Sequence, residues 1–527
     1  MTTIADILPE TSPPPAEARP AAGDRRLRRI AIVGGGTAGW MAASILARAL
    51  NGTCQITVVE APDIGTIGVG EATIPPIIDL LRFLGIDEAD FVSRTRATYK
   101  LGIVFSDWGK IGQRYWHPFG TFGTSINRRP FFHAWQKAKA RGLAPQFKDF
   151  SLCAALGDAG KFAFPDPKRG GATAGLRYAL HFDAALVARY LRAYSAHLGV
   201  SCIERQVATA RRRADGFLEA LVFTNGSSLD ADLFIDCSGF RGVLIEQVLN
   251  TGYLDWTDML PCDRAVALPT AGSIKRPPFT SASARPAGWR WRIPLQHRAG
   301  NGYVYSSQHI SDDAALVDLL GEVGEPPLAE PRFIRFVTGR RKQFWNHNCI
   351  ALGLASGFLE PLESTSIHLV ISGIYNLLDR FPDLDFDPAN VAAYNTELIE
   401  EIERIRDFIV LHYCTTQRDD TSFWDHCRTM PVPALLTERI ATYRGTGRVK
   451  PRAGELFTDL SWFYVLDGMG VEPLRYDPLI DIATDAQLTA ALAGIAADVS
   501  HAVGTAASHD SRFEPDSDGR RLHRSAS

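Results

Sequence analysis

The chain has 527 residues, 46% of them hydrophobic and 22% charged. That mixture excludes a mainly disordered or fibrous protein, and at roughly 150 residues per domain it offers core for three or four domains. Its 56 Lys and Arg against 59 Asp and Glu leave a net charge of −3, too balanced to steer nucleic acid or a membrane surface onto the chain.

Residues 1–26 are rich in proline and are expected to form a disordered tail. The cluster Arg25, Arg26, Arg28 and Arg29 before an apolar stretch imitates a twin-arginine signal or a membrane span. However, the stretch contains Gly34, Gly35, Gly36, Gly39 and Arg48 and lacks a small-residue cleavage site.

Arg29 to Val33 is a β-branched run of the kind that forms a buried parallel strand. Gly34, Gly36 and Gly39 follow as G-x-G-x-x-G, and Trp40 to Leu46 has helical character. Gly34 permits the tight turn, Gly36 lets backbone approach a pyrophosphate, and Gly39 allows close helix–strand packing. The amides around Thr37 and Ala38 then face the negative charge at a helix start. A second strand ends at Glu60, 21 residues past Gly39, where a carboxylate accepts ribose hydroxyls and disfavours a 2′-phosphate. The segment 61–73 reads either as a mobile strap, with three glycines between Gly65 and Gly70, or as an ordinary tight connection.

Two further strand-to-turn units, Asp232 to Gly242 and Cys349 to Gly357 with Gly353 in its turn, lie far downstream. They point to one interleaved body rather than separate modules. Ile367 to Leu378 and Val391 to Leu411 show helical apolar spacing. The expected organisation is therefore a body over 27–370, a helical subdomain over 371–500 and a disordered tail over 505–527. The eight cysteines form no C-x-x-C and no zinc spacing. Free thiols, a reducing cytoplasm and no metal site are expected, with no membrane and no nucleic-acid partner.

Four clusters carry the chemistry: Gly68 to Pro75, including Gly70, Glu71 and Ala72; Ala97 to Ile103, including Lys100; Trp289-Arg290-Trp291-Arg292-Ile293-Pro294; and Phe358 to Thr365. With the glycine fingerprint, they resemble the flavin-dependent halogenases of the tryptophan-halogenase family, for which W-x-W-x-I-P is a marker. The resemblance runs from residue 30 to about 480. It implies an α/β fold: an FAD-binding, Rossmann-like body of the flavin monooxygenase type, with interleaved substrate segments and a mainly helical C-terminal subdomain.

It also implies a mechanism. FADH2 from a separate flavin reductase reacts with O2, a halide (chloride or bromide) is oxidised to hypohalous acid, and Lys100 delivers that oxidant to an electron-rich aromatic ring. Lys100 matches the family lysine and Glu363 the family glutamate, which would stabilise the cationic ring and take up its proton. Thr365 and Ser366 would hold halide through backbone N–H groups at a helix start, although many relatives have glycine at the second position. His117 and Phe119 match the aromatic box, with Trp108 and Trp116 expected at its flanks. Trp289 and Trp291, same-face residues of an extended segment, are expected at the divide between flavin and substrate.

Free-tryptophan enzymes carry paired tyrosines in the region matching 447–464. Here they are absent, so the expected substrate is a small indole-type or indole-containing aromatic other than free tryptophan. A flavin-dependent monooxygenase or a non-catalytic flavin binder on the same scaffold are the alternatives. Relatives often dimerise, so a homodimer is compatible with the resemblance.

Overall fold

The computed structural model describes residues 24–62, 70–126, 128–144, 146–168, 170–273, 275–450 and 452–514. The strap expected over 61–73 lies mostly outside the described residues, as do residues 1–23 of the tail expected over 1–26 and residues 515–527 of the one expected over 505–527.

The run Arg29–Val33 forms the centre of a six-stranded sheet. From one edge the order is Trp345–Asn346, Cys349–Ala351, Leu233–Asp236, Arg29–Val33, Gln55–Glu60 and Ser201–Glu204. The four strands Cys349–Ala351 through Gln55–Glu60 pair in parallel, with Ile32 opposite both Val58 and Ile235. Sites more than 300 residues apart thus meet in one sheet, as the interleaving predicts. Helix Thr37–Leu50 lies against it, and its buried side includes Trp40, Met41, Ile45 and Leu46. Helices Ala184–His197 and Ser366–Asp379 pack on that helix.

A seven-stranded sheet forms the second layer. Its order is Arg332–Arg335, Arg264–Ala271, Arg298–Tyr305, Gly288–Pro294, Thr280–Arg285, Gly102–Ser106 and Arg114–Pro118. The W-x-W-x-I-P motif is the strand Gly288–Pro294, with Trp289, Trp291 and Ile293 buried on alternate positions. Trp291 lies opposite Gly302, where a Cβ would come within 2.0 Å of the indole. A third, three-stranded sheet orders Gly70–Ala72, Ala179–Asp183 and Thr98–Lys100.

From residue 366 on the chain is mainly helical, as its periodicity predicts, with helices Ser366–Asp379, Pro388–Cys414, Ser422–Thr429, Ala434–Thr446 and Asp459–Gly468. The boundary placed between 370 and 371 falls inside the first of these, and side chains from both sides share one core.

The tail expected from residue 505 needs correction. Ala507–Ser508 pairs with Lys161–Phe162, His509 is fully buried, and Phe513 stacks on Tyr99 with centroids 5.9 Å apart. Two buried rings anchor a segment whose surrounding polar composition reads as disorder. Helix Asp485–Thr505 has the length and mean hydropathy (1.2) of a membrane span, but it packs Leu488, Leu492 and Val499 onto the body. All eight cysteines are free, and no metal-binding cluster occurs among the described residues.

Candidate active site

A cavity of about 680 Å³ opens at the carboxyl ends of the central strands, where ligands bind in open α/β sheets. Gly34, Gly36, Thr37 and Ala38 line it. Each glycine of the fingerprint has its own reason. A Cβ on Gly34 would lie 2.2 Å from the Cys237 carbonyl oxygen, and one on Gly39 would lie 1.8 Å from that of Gly34. A Cβ on Gly36 would meet nothing within 4 Å, so this backbone stands open to a ligand. That cradle fits a dinucleotide.

Glu60 closes the adjacent wall, where its carboxylate accepts from the Arg192 guanidinium and from Trp40 Nε1 at 3.3 Å. Gly70, Glu71 and Ala72 line the cavity, and burial raises the Glu71 carboxyl to about 7. Gly353 completes the cradle from the third strand-to-turn unit, its φ of +60° being one that glycine adopts readily.

Trp289 and Trp291 also face this cavity. The expectation had them at the flavin–substrate divide, and both are wall residues on the cofactor side. The Trp289 indole N–H donates to Glu360, which also accepts from the Tyr413 hydroxyl at 2.7 Å. Glu360 is fully buried with neutral donors as partners, and burial raises its carboxyl to about 7.

Three residues on, the chain turns through the short helix Pro361–Glu363 and through Ser364, whose φ is +59°. This unusual conformation for a side-chain-bearing residue costs of order 1–3 kcal/mol. It separates two faces of one segment. Pro361, Thr365 and Ser366 look into the cavity, and Thr365 precedes helix Ser366–Asp379, whose free N–H groups point that way. Glu363 and Ser364 sit with Lys100.

Lys100 is fully buried at the end of strand Thr98–Lys100. Its Nζ donates to Ser364 Oγ at 2.8 Å and to the Thr73 carbonyl at 3.0 Å, and lies 5.3 Å from the Phe119 ring centroid. Burial lowers its proton affinity to about 7, against a weaker opposing pull from Glu363.

Glu363 is 1% exposed. His117 Nδ1 lies 2.8 Å from its Oε2, and His412 Nε2 lies 3.0 Å from its Oε1 at an angle that misses a hydrogen bond. Burial alone would raise this carboxyl, but the imidazoles of His117 and His412 outweigh it and hold the group down at about 2. His117 packs against Phe408 and Phe457, whose rings stack with centroids 3.8 Å apart.

The fold therefore brings together Lys100, Glu363, His117 and Phe119, and separately Trp289, Trp291 and the glycine cradle. It does not bring Trp116 to the box. Trp116 neighbours His117 on a strand and points the opposite way, packing on Phe279 and donating to Asp158. The sequence reading missed Ser364, His412 and the Thr73 carbonyl. Ser364 stands inside the Phe358–Thr365 motif, directly after Glu363, which is a signal for it; His412 looks like any polar residue on an apolar helix.

The tryptophan halogenase family model matches residues 29–485. Among solved structures, the flavin-dependent halogenase Xcc4156 from Xanthomonas campestris is similar at 45% identity and a TM-score of 0.89, covering 92% of this chain and 97% of that one. BrvH, a flavin-dependent halogenase from Brevundimonas sp. BAL3, is similar at 43% identity and a TM-score of 0.89, covering 92% and 99%. Tryptophan 6-halogenase SttH from Streptomyces toxytricini is 37% identical over 487 residues, 87% of this chain and 92% of its own. With the cradle and the Lys100–Glu363 pair in place, these likenesses assign the chain to the tryptophan-halogenase family of flavin-dependent halogenases.

Proposed function

We propose that this halogenase uses FADH2 from a separate flavin reductase, together with O2 and chloride or bromide, to halogenate an electron-rich indole or phenol ring in a substrate other than free tryptophan. One observation carries the reading. A buried lysine amine and an ionised glutamate share a site on the far face of the segment that lines the flavin cavity.

When bound, FADH2 supplies the electrons with which O2 and halide yield hypohalous acid. The chain's residues do the rest. Thr365 and Ser366 offer backbone donors to the halide at the cavity edge. Trp289 and Trp291 fill the wall between, which disfavours a substrate ring beside the cofactor. Lys100, at about 7, is present near neutrality as both amine and ammonium; the amine can take up electrophilic halogen, and the ammonium can hydrogen-bond the oxidant. Glu363, kept ionised, faces the cationic ring intermediate and accepts the proton it sheds. His117 holds Glu363 in orientation and, with Phe119, offers a face to the ring.

The substrate class rests on the 447–464 segment, which has no paired tyrosines; Gly447 ends a helix there, and Glu455 pairs with the half-buried Arg439. The test is a bromide-dependent screen of indole, phenols, indole-containing peptides and free tryptophan, supplied with reductase, FAD and oxygen. Brominated indole or phenol is expected. Saturable, regioselective turnover of free tryptophan with indole ignored would overturn the substrate class.

A further inference from the structure

His181 takes no part in the chemistry above, yet it sits between its two halves. It lies on strand Ala179–Asp183, fully buried, opposite Ala72 on one side and Thr98 on the other. Its Nδ1 is 3.1 Å from Thr98 Oγ1 and its Nε2 is 2.9 Å from Thr280 Oγ1. Thr280 lines the flavin cavity. Thr98 is two residues before Lys100, on the same face of the same strand and about 7 Å along it.

The hydrogen-bond directions follow from the inventory of donors. The Thr98 hydroxyl donates to the Pro294 carbonyl at 2.6 Å, so its oxygen is left to accept. His181 must then donate from Nδ1, and the Nε2 lone pair accepts from the Thr280 hydroxyl. Burial first, and the nearby Lys100 second, push the proton affinity of His181 well below the ordinary imidazole range. The ring is thus neutral and locked in one tautomer. Pro294 ends the W-x-W-x-I-P strand, so one imidazole ties the cavity wall, the tryptophan strand and the lysine strand together.

We infer that His181 is the positioning residue that sets Lys100 in register with the flavin cavity, so that hypohalous acid formed there reaches the lysine instead of escaping. This rests on the assignment of halogen transfer to Lys100. It assigns no reacting atom to His181. It predicts that losing the bridge uncouples oxidant formation from halogenation.

The experiment measures brominated indole formed per FADH2 reoxidised, together with hypobromous acid caught by a β-diketone trap in bulk solution. It uses the full chain with reductase, FAD, bromide and indole as the probe. His181→Phe keeps the ring but removes both bonds. Its product-to-flavin ratio should fall by about tenfold or more while flavin reoxidation persists and trapped oxidant rises, since misplacing a reacting group by about 1 Å costs up to 10²-fold. His181→Gln has one donor and one acceptor and should restore the ratio to within about threefold of the unaltered protein, a rescue that a purely space-filling role does not predict.

If His181→Phe fails to fold, Thr280→Val removes only the cavity-side bond and should still lower the ratio. An undiminished ratio in the folded Phe variant, or a Gln variant as uncoupled as Phe, overturns the inference. Lys100→Ala separates the two levels. Abolished product there beside an undiminished His181→Phe rejects only the role of His181, whereas surviving product in Lys100→Ala rejects the halogen-transfer reading beneath it.

Discussion

Glu360 and Glu363 are three residues apart and equally buried, yet they differ in how readily they ionise. Glu360 meets the Trp289 N–H and the Tyr413 O–H and rises to about 7. Glu363 meets the imidazoles of His117 and His412 and falls to about 2. Burial pushes both carboxyls upward, so the difference lies in their partners: neutral dipoles leave a buried carboxyl near neutrality, while basic rings hold it ionised. The left-handed turn at Ser364 turns this chemical contrast into a spatial one. The cavity side holds a structural carboxyl that orients a tryptophan wall. The lysine side holds a charged carboxylate ready to accept a proton.

The contrast can be broken from either end. Lys100→Ala removes the amine from the lysine side and should bring halogenation below detection while flavin reoxidation continues, measured by product mass and flavin absorbance. Glu363→Gln keeps the shape but not the charge. Product formation should fall by about 10²–10⁴-fold, the usual contribution of a positioned acid–base group, with flavin reoxidation unaffected. Glu360→Gln should cost about tenfold or less, because orienting a wall residue contributes less than proton transfer does. A loss equal to that of Glu363→Gln would erase the distinction between the two carboxyls.

Trp289→Phe keeps an aromatic ring but removes the N–H and part of the buried indole, so its effect should fall on stability. A loss of about 1–3 kcal/mol in denaturant unfolding is expected for leaving a buried acceptor short of a donor.

The dependence of stability on pH sharpens the comparison. Lys100 drops from 10.5 to about 7 on folding, so between those values the unfolded chain binds a proton that the folded chain lacks, and stability rises with pH. Lys100→Met should flatten that rise. Glu363 acts in the acid range: the stability it contributes is complete above 4.5 and is lost as pH falls toward 2. Glu360 runs the other way. Between 4.5 and about 7 the folded chain keeps a proton that the unfolded chain releases, so stability falls as pH rises through that window.

Much of this was legible in the sequence where a residue type has one physical use. Gly34, Gly36 and Gly39 stand where a Cβ would collide or would crowd the ligand, so their spacing alone announces the cradle. Lys100 and Glu363 were found through motifs. What sequence could not show is the side a residue faces across distant contacts. His412 reaches Glu363 from a helix that begins at Pro388, and Glu360 supports the cavity wall from behind through its bond to Trp289. Trp116 was misplaced because strand alternation turns it away from the box that its neighbour His117 enters. The C-terminal segment was misread because local composition hides His509 and Phe513, whose burial depends on Phe162 and Tyr99 far upstream.

Under the proposed function, the oxidant is made on one side of the Glu360–Ser366 segment and used on the other. A single-turnover reaction of FADH2-loaded enzyme with oxygen, bromide and indole, run with the unaltered chain and with Lys100→Ala, tests it most directly. Flavin should reoxidise at the same rate in both, brominated indole should form only with Lys100 present, and the missing bromine equivalents should appear in an added β-diketone trap. Equal yields of brominated indole from the two proteins would contradict it.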